Sequence, residues 1–406
     1  MPNPLHSTRI VLGVTGSIAC YKAADLASKL SQAGALVDTI LTGAATNFVS
    51  PITFASVTGR GAYADGDLWG DRAHVLHISL GHDADLLIIA PITANSMAKL
   101  AHGSADDLLS VTALAARCPV LIAPAMDGGM FSHPATQSNL QILRDRGVHI
   151  IGPESGHLAS GLVAAGRMSE PTAILGRARY ILSRNGPLAG RHIVVTAGGT
   201  REPIDPVRYI TNRSSGKQGY ALAQAALDAG ADVTLISAAD LPAPAGATLI
   251  NVGSVAEMAE AVLTASRGAD ALIMAAAVSD FRAAEAADQK IKKGGPGAEL
   301  PLIRLAATTD ILMAVASQRA AGEGPHLVVG FAAETQDLLD NARSKLVRKG
   351  LDLIVANDVS ALDAGFGVDT NRVTLLSADG TVENLPLMGK SDVAERVIKW
   401  VVETPT

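Results

Sequence analysis

Ile193-Val194-Val195-Thr196-Ala197-Gly198-Gly199-Thr200, followed by Arg201-Glu202-Pro203-Ile204-Asp205-Pro206-Val207-Arg208-Tyr209-Ile210-Thr211-Asn212-Arg213-Ser214-Ser215-Gly216-Lys217, decides how the chain is read. The apolar run Ile193 to Val195 predicts a strand. The Ala-rich run from Gly219 to Ala229 predicts a helix that Gly230 stops, and Val233-Thr234-Leu235-Ile236 predicts the next strand. Strand, helix and strand make one βαβ unit of a parallel sheet. Its first loop is oversized, since such connections usually need only roughly 2–6 residues. The loop carries two prolines, two serines, an asparagine, several glycines and the cations Arg208, Arg213 and Lys217. Glycines let a backbone approach a phosphate closely, and the following helix N-terminus offers free N–H groups and a positive dipole. The density of basic, hydroxyl and amide groups points to a phosphate-rich ligand rather than to an ordinary surface loop.

The same grammar runs through the first half. Ile10 to Val14 predicts a strand, Thr15-Gly16-Ser17 a turn, and Ile18 to Gln32 a helix with Ile18, Leu26 and Leu30 on its apolar positions. Gly34 ends that helix and Leu36 to Leu41 predicts a second strand. Further buried strands are predicted at Leu86 to Ile89, Val120 to Ile122 and Val148 to Ile151. Continuously apolar strands of this kind belong to parallel sheets covered by helices on both faces, and ligands bind beyond their carboxyl ends. The turn has Gly13 and Gly16 without a full G-x-G-x-x-G, so the dinucleotide fingerprint is incomplete.

Ser183 to Gly190 has linker composition, and the pattern restarts at Ile193. Two doubly wound parallel α/β domains are expected, residues 1–186 and 187–406. In the second, strands are predicted at Ala271 to Ala275, Leu327 to Gly330 and Leu353 to Ala356, and a helix at Leu338 to Lys349 with Lys345 and Lys349 on one face. Asp288 to Gly295 is basic, glycine-rich and expected to be mobile. Arg372 to Leu376 with Asp379-Gly380 predicts a hairpin arm at the sheet edge.

The 406 residues carry a net charge of −6, which argues against nucleic acid as the main partner, and 3% aromatics leave little for base stacking. With 48% hydrophobic residues, large cores can be buried. Cys20 and Cys118 suggest neither a disulfide framework nor a metal cluster. Met1 to Arg9 lacks the apolar core of a signal peptide, and no apolar run approaches the ~20 residues of a membrane span. A soluble cytoplasmic protein is expected.

Taken together, the motifs resemble the bifunctional phosphopantothenoylcysteine decarboxylase/phosphopantothenate–cysteine ligase family of bacterial coenzyme A synthesis, from about Arg9 to Val402. The matching segments of the first half are Gly13-Val-Thr-Gly-Ser-Ile-Ala, His77-Ile-Ser-Leu-Gly, Ala90-Pro-Ile-Thr-Ala-Asn, Pro124-Ala-Met and Gly166-Arg-Met. Those of the second are Thr196 to Ile210, Asn212 to Lys217, Ala275-Ala-Ala-Val-Ser-Asp, Lys290-Ile-Lys-Lys, Gly330-Phe-Ala-Ala-Glu-Thr and Ala356-Asn-Asp-Val.

The resemblance implies a flavodoxin-like, FMN-dependent first domain. There the flavin transiently oxidises the cysteine end of phosphopantothenoylcysteine, the thioaldehyde serves as electron sink for loss of CO2, and the enethiol is reduced back. His77 matches the family's catalytic histidine. Gly16, Ser17, Thr42, Pro91, Thr93 and Ala94 lie at strand ends suited to FMN. The second domain resembles a Rossmann-like ligase using CTP and Mg2+. It implies attack of the 4′-phosphopantothenate carboxylate on the α-phosphate, an acyl-cytidylate, and displacement of CMP by L-cysteine. Asn212 and Lys290 match the residues of acyl-intermediate chemistry. Asp280, Lys290, Phe331, Lys345 and Lys349 match the CTP site, Thr308-Thr309-Asp310-Ile311 its lining, and Gly198-Gly199 with Ser214-Ser215 the phosphate clamp. The family forms homo-oligomers, ligase dimers on trimeric flavoprotein cores.

Two positions depart from the family. Asp127 follows Pro124-Ala-Met where Asn, a substrate-carboxylate ligand, is common. Ionised and ~4 Å from that carboxylate, it would be repelled by about 4 kcal/mol at an effective dielectric of ~20. Ser160 stands in the flap Gly156 to Gly161 where many members have a proton-donating Cys, and a thiol gives its proton far more readily than an alcohol. The alternative is therefore an active ligase joined to a flavin-binding assembly module without decarboxylase turnover.

Overall fold

The computed structural model describes residues 3–69, 73–158, 161–292, 302–334, 338–358 and 368–405. The chain divides into two compact units, Pro2–Ser183 and Arg184–Thr406. Ser160, Lys293 and the Gly294-Gly295 pair lie outside the described residues.

The first unit is built on β1 (Arg9–Val14), β2 (Leu36–Leu41), β3 (Ala62–Ala64), β4 (Leu86–Ile92), β5 (Val120–Pro124) and β6 (His149–Ile150), in the order β3-β2-β1-β4-β5-β6. Every pairing in this sheet is parallel. Alternate residues of a strand point to opposite faces. Ile10, Leu12, Leu86 and Ile88 accordingly join Leu26, Leu30 and Phe54 on one face. Val11, Leu87 and Ile89 join Ile40, Met97 and Leu140 on the other. Both faces being covered explains the uninterrupted apolar runs. The first helix is Cys20–Gln32, two residues shorter than its periodicity predicts. Ile18 stays in the loop after β1, 63% exposed, instead of joining the core. An antiparallel pair, β7 (Glu154–His157) and β8 (Val163–Arg167), forms the base of the flap.

The second unit contains β9 (His192–Ala197), β10 (Arg201–Pro203), β11 (Tyr209–Thr211), β12 (Asp232–Ser237), β13 (Thr248–Asn251), β14 (Ala271–Met274), β15 (Phe281–Ala283), β16 (Leu305–Ala307), β17 (Leu327–Glu334), β18 (Leu353–Asp358), β19 (Thr370–Asn371), β20 (Val373–Ser377), β21 (Val382–Asn384) and β22 (Met388–Gly389). Its main sheet runs β13-β12-β9-β14-β17-β18-β20-β21. The predicted βαβ unit is present as β9, the helix Lys217–Asp228 and β12, with β9 and β12 in parallel register. The long loop between them is folded on itself, β10 pairing antiparallel with β11. The edge hairpin is β20 and β21, antiparallel to each other, with β20 antiparallel to β18. Strand order reverses between β9 and β14, which opens a crevice at their carboxyl ends. Among the described residues no helix is long and apolar enough to cross a membrane.

Candidate active sites

The crevice of the second unit is a cleft of about 650 Å3. Three strand-end segments build its wall: Met274 to Val278 after β14, Phe331 and Ala332 in β17, and Asn357 in β18. Thr308, Thr309, Asp310 and Ile311 close one end. Thr308 is fixed there by donating its hydroxyl to the Ser279 carbonyl at 2.6 Å and its N–H to the Asp280 carbonyl at 3.0 Å. Asp310 caps the helix Ile311–Ala320 through Met313 N–H and receives the Lys349 ammonium at 3.2 Å. Lys345 donates to the Phe331 carbonyl at 3.0 Å. At the other end lie Asn212, Ser214, Ser215, Gly216, Lys217 and Lys390. Gly216, at φ +79°, turns the chain into the helix Lys217–Asp228. Four lysines and two aspartates line the cleft, a local positive excess on a chain of net charge −6. Such a field favours an anionic ligand.

The cleft gathers Asn212, Ser214, Ser215, Asp280, Thr308, Thr309, Asp310, Ile311, Phe331, Lys345 and Lys349, all singled out from the sequence. Gly198, Gly199 and Lys290 are not among its lining residues. The glycines have a packing reason. A Cβ on Gly198 would stand 2.6 Å from Ala239 N, and one on Gly199 would stand 2.7 Å from the Asn212 carbonyl oxygen. They let Asn212 sit close to the sheet, where its amide donates to Ala277 O at 3.2 Å and Val278 O at 3.1 Å. Arg208 turns to Asp205 and to the Ile291 carbonyl instead of the cleft. Lys290 is exposed on the segment that Arg208 touches.

In the first unit the loops after β1, β2 and β4 meet at the carboxyl edge of the sheet. Thr15, fully buried, donates its hydroxyl to Pro91 O at 3.0 Å and accepts from Thr93 N at 2.9 Å. Thr93 caps the helix Ala94–His102 by accepting from Ser96 N. A Cβ on Gly16 would come within 2.5 Å of the Ala44 Cβ, and Thr42 N donates to Val14 O. Gly16, Ser17, Thr42, Pro91, Thr93 and Ala94 thus form one cradle of hydroxyls and backbone amides ending in a helix N-terminus. That donor set suits the anionic and carbonyl groups of FMN. His77 lies on the helix Ala73–Asp83, which precedes β4. Its Nδ1 is buried with no hydrogen-bond partner among the described residues.

Asp127 sits between the end of β5 and the flap pair β7–β8. It caps the short helix Gly128–Ser132, its Oδ1 accepting from Gly129 N at 2.9 Å. Met126 N donates to Gly166 O, and a Cβ on Gly166 would stand 2.2 Å from Met126 O, so β8 lies directly against this turn. Lys22 ties the end of the flap to the first helix through Glu170 at 2.7 Å and Met168 O at 3.3 Å. Neither cysteine is in the flap. Burial pushes both the Cys20 and the Cys118 thiol up, and Cys20 is committed to the Thr15 carbonyl.

Comparison with known proteins matches residues 2–179 to the flavoprotein family and residues 188–404 to the family described as DNA/pantothenate metabolism flavoprotein C-terminal domain. The chain is 47% identical over 401 residues to the coenzyme A biosynthesis bifunctional protein CoaBC of Bacillus subtilis (strain 168), covering 98% of this chain and 97% of that protein. It is 46% identical over 406 residues to the protein of the same name from Mycobacterium tuberculosis (strain ATCC 25618 / H37Rv), covering 97% and 96%. The chain belongs to the CoaBC family. It is a bifunctional enzyme of coenzyme A biosynthesis, joining ligase and decarboxylase activities, and its first unit is a flavoprotein domain. Among solved structures it resembles the C-terminal domain of a CoaBC protein, at 37% identity and TM-score 0.45, over 54% of this chain and 97% of that one. It also resembles the FMN-dependent cysteine decarboxylase SpaF, at 35% identity and TM-score 0.37, over 44% and 97%.

Sequence reading missed the polar lining residues Gln218, Asn371 and Lys390 of this CoaBC cleft, while Asn357 stands within the matching segment Ala356-Asn-Asp-Val. The three amides bond one another, Asn357 to Asn371 at 3.2 Å and Asn371 to Gln218 at 3.0 Å. Lys390 is 8% exposed and opens the helix Lys390–Glu403. Burial, and next the Lys217 cation, push its ammonium pKa down, and Asp369 only partly opposes them. A cation at a helix N-terminus is disfavoured by the dipole, and Gly389-Lys390 before an amphipathic run carries that signal in the sequence.

Proposed function

We propose that the second unit joins 4′-phosphopantothenate to L-cysteine at the expense of CTP, and that the first unit decarboxylates the phosphopantothenoylcysteine so formed. The observation that carries the reading is the cleft of the second unit, with cations at both ends and Asn212 among its lining residues. A carboxylate oxygen of 4′-phosphopantothenate attacks the α-phosphorus, the bond to pyrophosphate breaks, and an acyl-cytidylate remains. The cysteine nitrogen then attacks the acyl carbon, loses its proton, and CMP leaves with the C–O electron pair. Lys345, Lys349 and the Ser214-Ser215 turn hold phosphates. Asp280, Phe331 and Thr308 to Ile311 hold the nucleoside. Asn212 and Lys290 meet charge on the acyl oxygen, the position where preorganised donors matter most. No cluster of three or more His, Cys, Asp or Glu side chains that could hold a metal exists among the described residues. Mg2+ would be held on the nucleotide phosphates, the usual mode being one or two carboxylates together with substrate phosphates.

In the first unit the Gly16-Ser17, Thr42 and Pro91-to-Ala94 cradle would hold FMN, which supplies reversible oxidation of the substrate's cysteine end. His77 moves a proton, the flap covers the substrate and excludes water, and Asp127 faces its carboxyl end. Assembly with further copies of the chain belongs to the same proposal.

Supplied with 4′-phosphopantothenate and Mg2+ but no cysteine, the purified flavin-coloured protein is expected to release pyrophosphate with CTP. A folded protein that neither carries nor takes up FMN, or pyrophosphate release that ignores the acyl substrate, refutes the reading. Asp127→Asn keeps an oxygen for the Gly129 N–H, so the cap survives, and it removes the charge facing the substrate carboxylate. CO2 release by that variant is expected to match or exceed the parent's across pH. Loss at every pH would instead make Asp127 a proton donor.

A further inference from the structure

The long loop between β9 and the helix Lys217–Asp228 grips the segment that carries Lys290. Asp205 has a fully buried side chain with its two oxygens divided between two tasks. Oδ1 accepts from Val207 N at 2.8 Å and from Arg208 N at 2.9 Å, which forms the turn between β10 and β11. Oδ2 accepts from Ile291 N at 3.1 Å. Arg208 Nη2 donates to the carbonyl of the same Ile291 at 3.1 Å. The peptide groups flanking Ile291 are therefore held from both sides by residues three apart. A third tie joins Ala287 N to Ile204 O at 2.9 Å. The other end of the loop runs through β11 directly into Asn212, on the cleft wall.

We infer that Asp205, acting with Arg208, is a positioning residue that sets where Lys290 enters the ligase site, and that one loop thereby places both Asn212 and Lys290 on the acyl group. Burial opposes ionisation of Asp205, but N–H donors from Val207, Ile291 and Arg208 and the Arg208 charge outweigh it and hold its carboxyl below the usual range. The clamp is thus an ionised acceptor at neutral pH. Lys290 lies one peptide bond from the clamped residue, so its backbone is fixed while its long side chain stays free to swing into the cleft. This inference rests on the ligase reading of Lys290.

Asp205→Asn separates the two tasks. Its amide oxygen can replace Oδ1 and keep the turn, while its NH2 group faces the Ile291 N–H, so only the tie to the Lys290 segment is lost. In rapid-quench assays of the full chain, pyrophosphate release is expected to stay at the parent rate. Formation of phosphopantothenoylcysteine is expected to slow by about 10–10²-fold, the scale of an ångström-sized misplacement. In the Lys290→Gln background the same change is expected to add nothing, because its effect passes through Lys290. Arg208→Gln, which removes the carbonyl contact from an exposed side chain, is expected to slow the same step and decides the matter if Asp205→Asn does not fold. Equal slowing of both steps, or effects that multiply in full with Lys290→Gln, overturns the clamp. If Lys290→Gln itself leaves amide formation unchanged, the ligase assignment of Lys290 fails, and the clamp with it.

Discussion

Replacing His77 by asparagine is expected to lower CO2 release from phosphopantothenoylcysteine by about 10²–10⁴-fold, the range of a general acid–base residue, with the flavin still bound. His77 Nδ1 is buried and without a partner among the described residues. Such a group ordinarily costs about 1–3 kcal/mol, which a bound substrate or flavin could recover by supplying the missing hydrogen bond. The helix that carries it, Ala73–Asp83, precedes β4, and its last residue pairs with Arg9 at the start of β1. Asparagine keeps polarity and approximate size but cannot exchange a proton near neutral pH. Flavin absorbance measured beside CO2 release separates the roles. Activity that falls only in proportion to lost flavin would make His77 a packing residue, and unchanged turnover would remove it from the reaction.

Lys290→Gln is expected to leave pyrophosphate release intact while slowing amide formation by about 10²–10³-fold, the usual loss for one donor to a developing oxyanion. The two steps place charge in different positions. Activation at phosphorus relies on Lys345, Lys349 and the Ser214-Ser215 turn, all lining the cleft. Lys290 is outside that lining, exposed on a segment tied to Asp205 and Arg208, so under this proposal it enters only after the nucleotide is seated. Rapid quench should then trap acyl-cytidylate. If neither the intermediate nor pyrophosphate forms, Lys290 belongs to nucleotide binding.

Much of this arrangement is legible in the residues. The continuous apolar runs at Leu86 and Ile193 read as buried parallel strands because both faces of each sheet are covered, and the cleft lies where the strand order reverses. The i, i+4 pair Lys345 and Lys349 reads as one helix face, and both side chains reach the cleft. Other features depend on tertiary contacts that local pattern does not encode. Gly198 and Gly199 look like phosphate-approach glycines, yet their space is taken by Ala239 and Asn212 of the chain itself. Ile18 fits the helical period but falls before the helix begins at Cys20. The oversized loop looks open and proves to be a hairpin with Asp205 at its turn. Asn371 and Lys390 come from separate elements and join Asn357 at the cleft only when β18, β19 and the last helix pack.

The central claim is that both units of one chain turn over in sequence despite serine at the flap position and aspartate at 127. The direct test is a single incubation of the full chain with 4′-phosphopantothenate, L-cysteine, CTP and Mg2+, in which pyrophosphate and CO2 are counted together. Release of one CO2 for each pyrophosphate, with 4′-phosphopantetheine as the final product, is the result expected. Pyrophosphate with accumulating phosphopantothenoylcysteine and no CO2, from protein that carries its flavin, would contradict it and leave the first unit a flavin-binding assembly module.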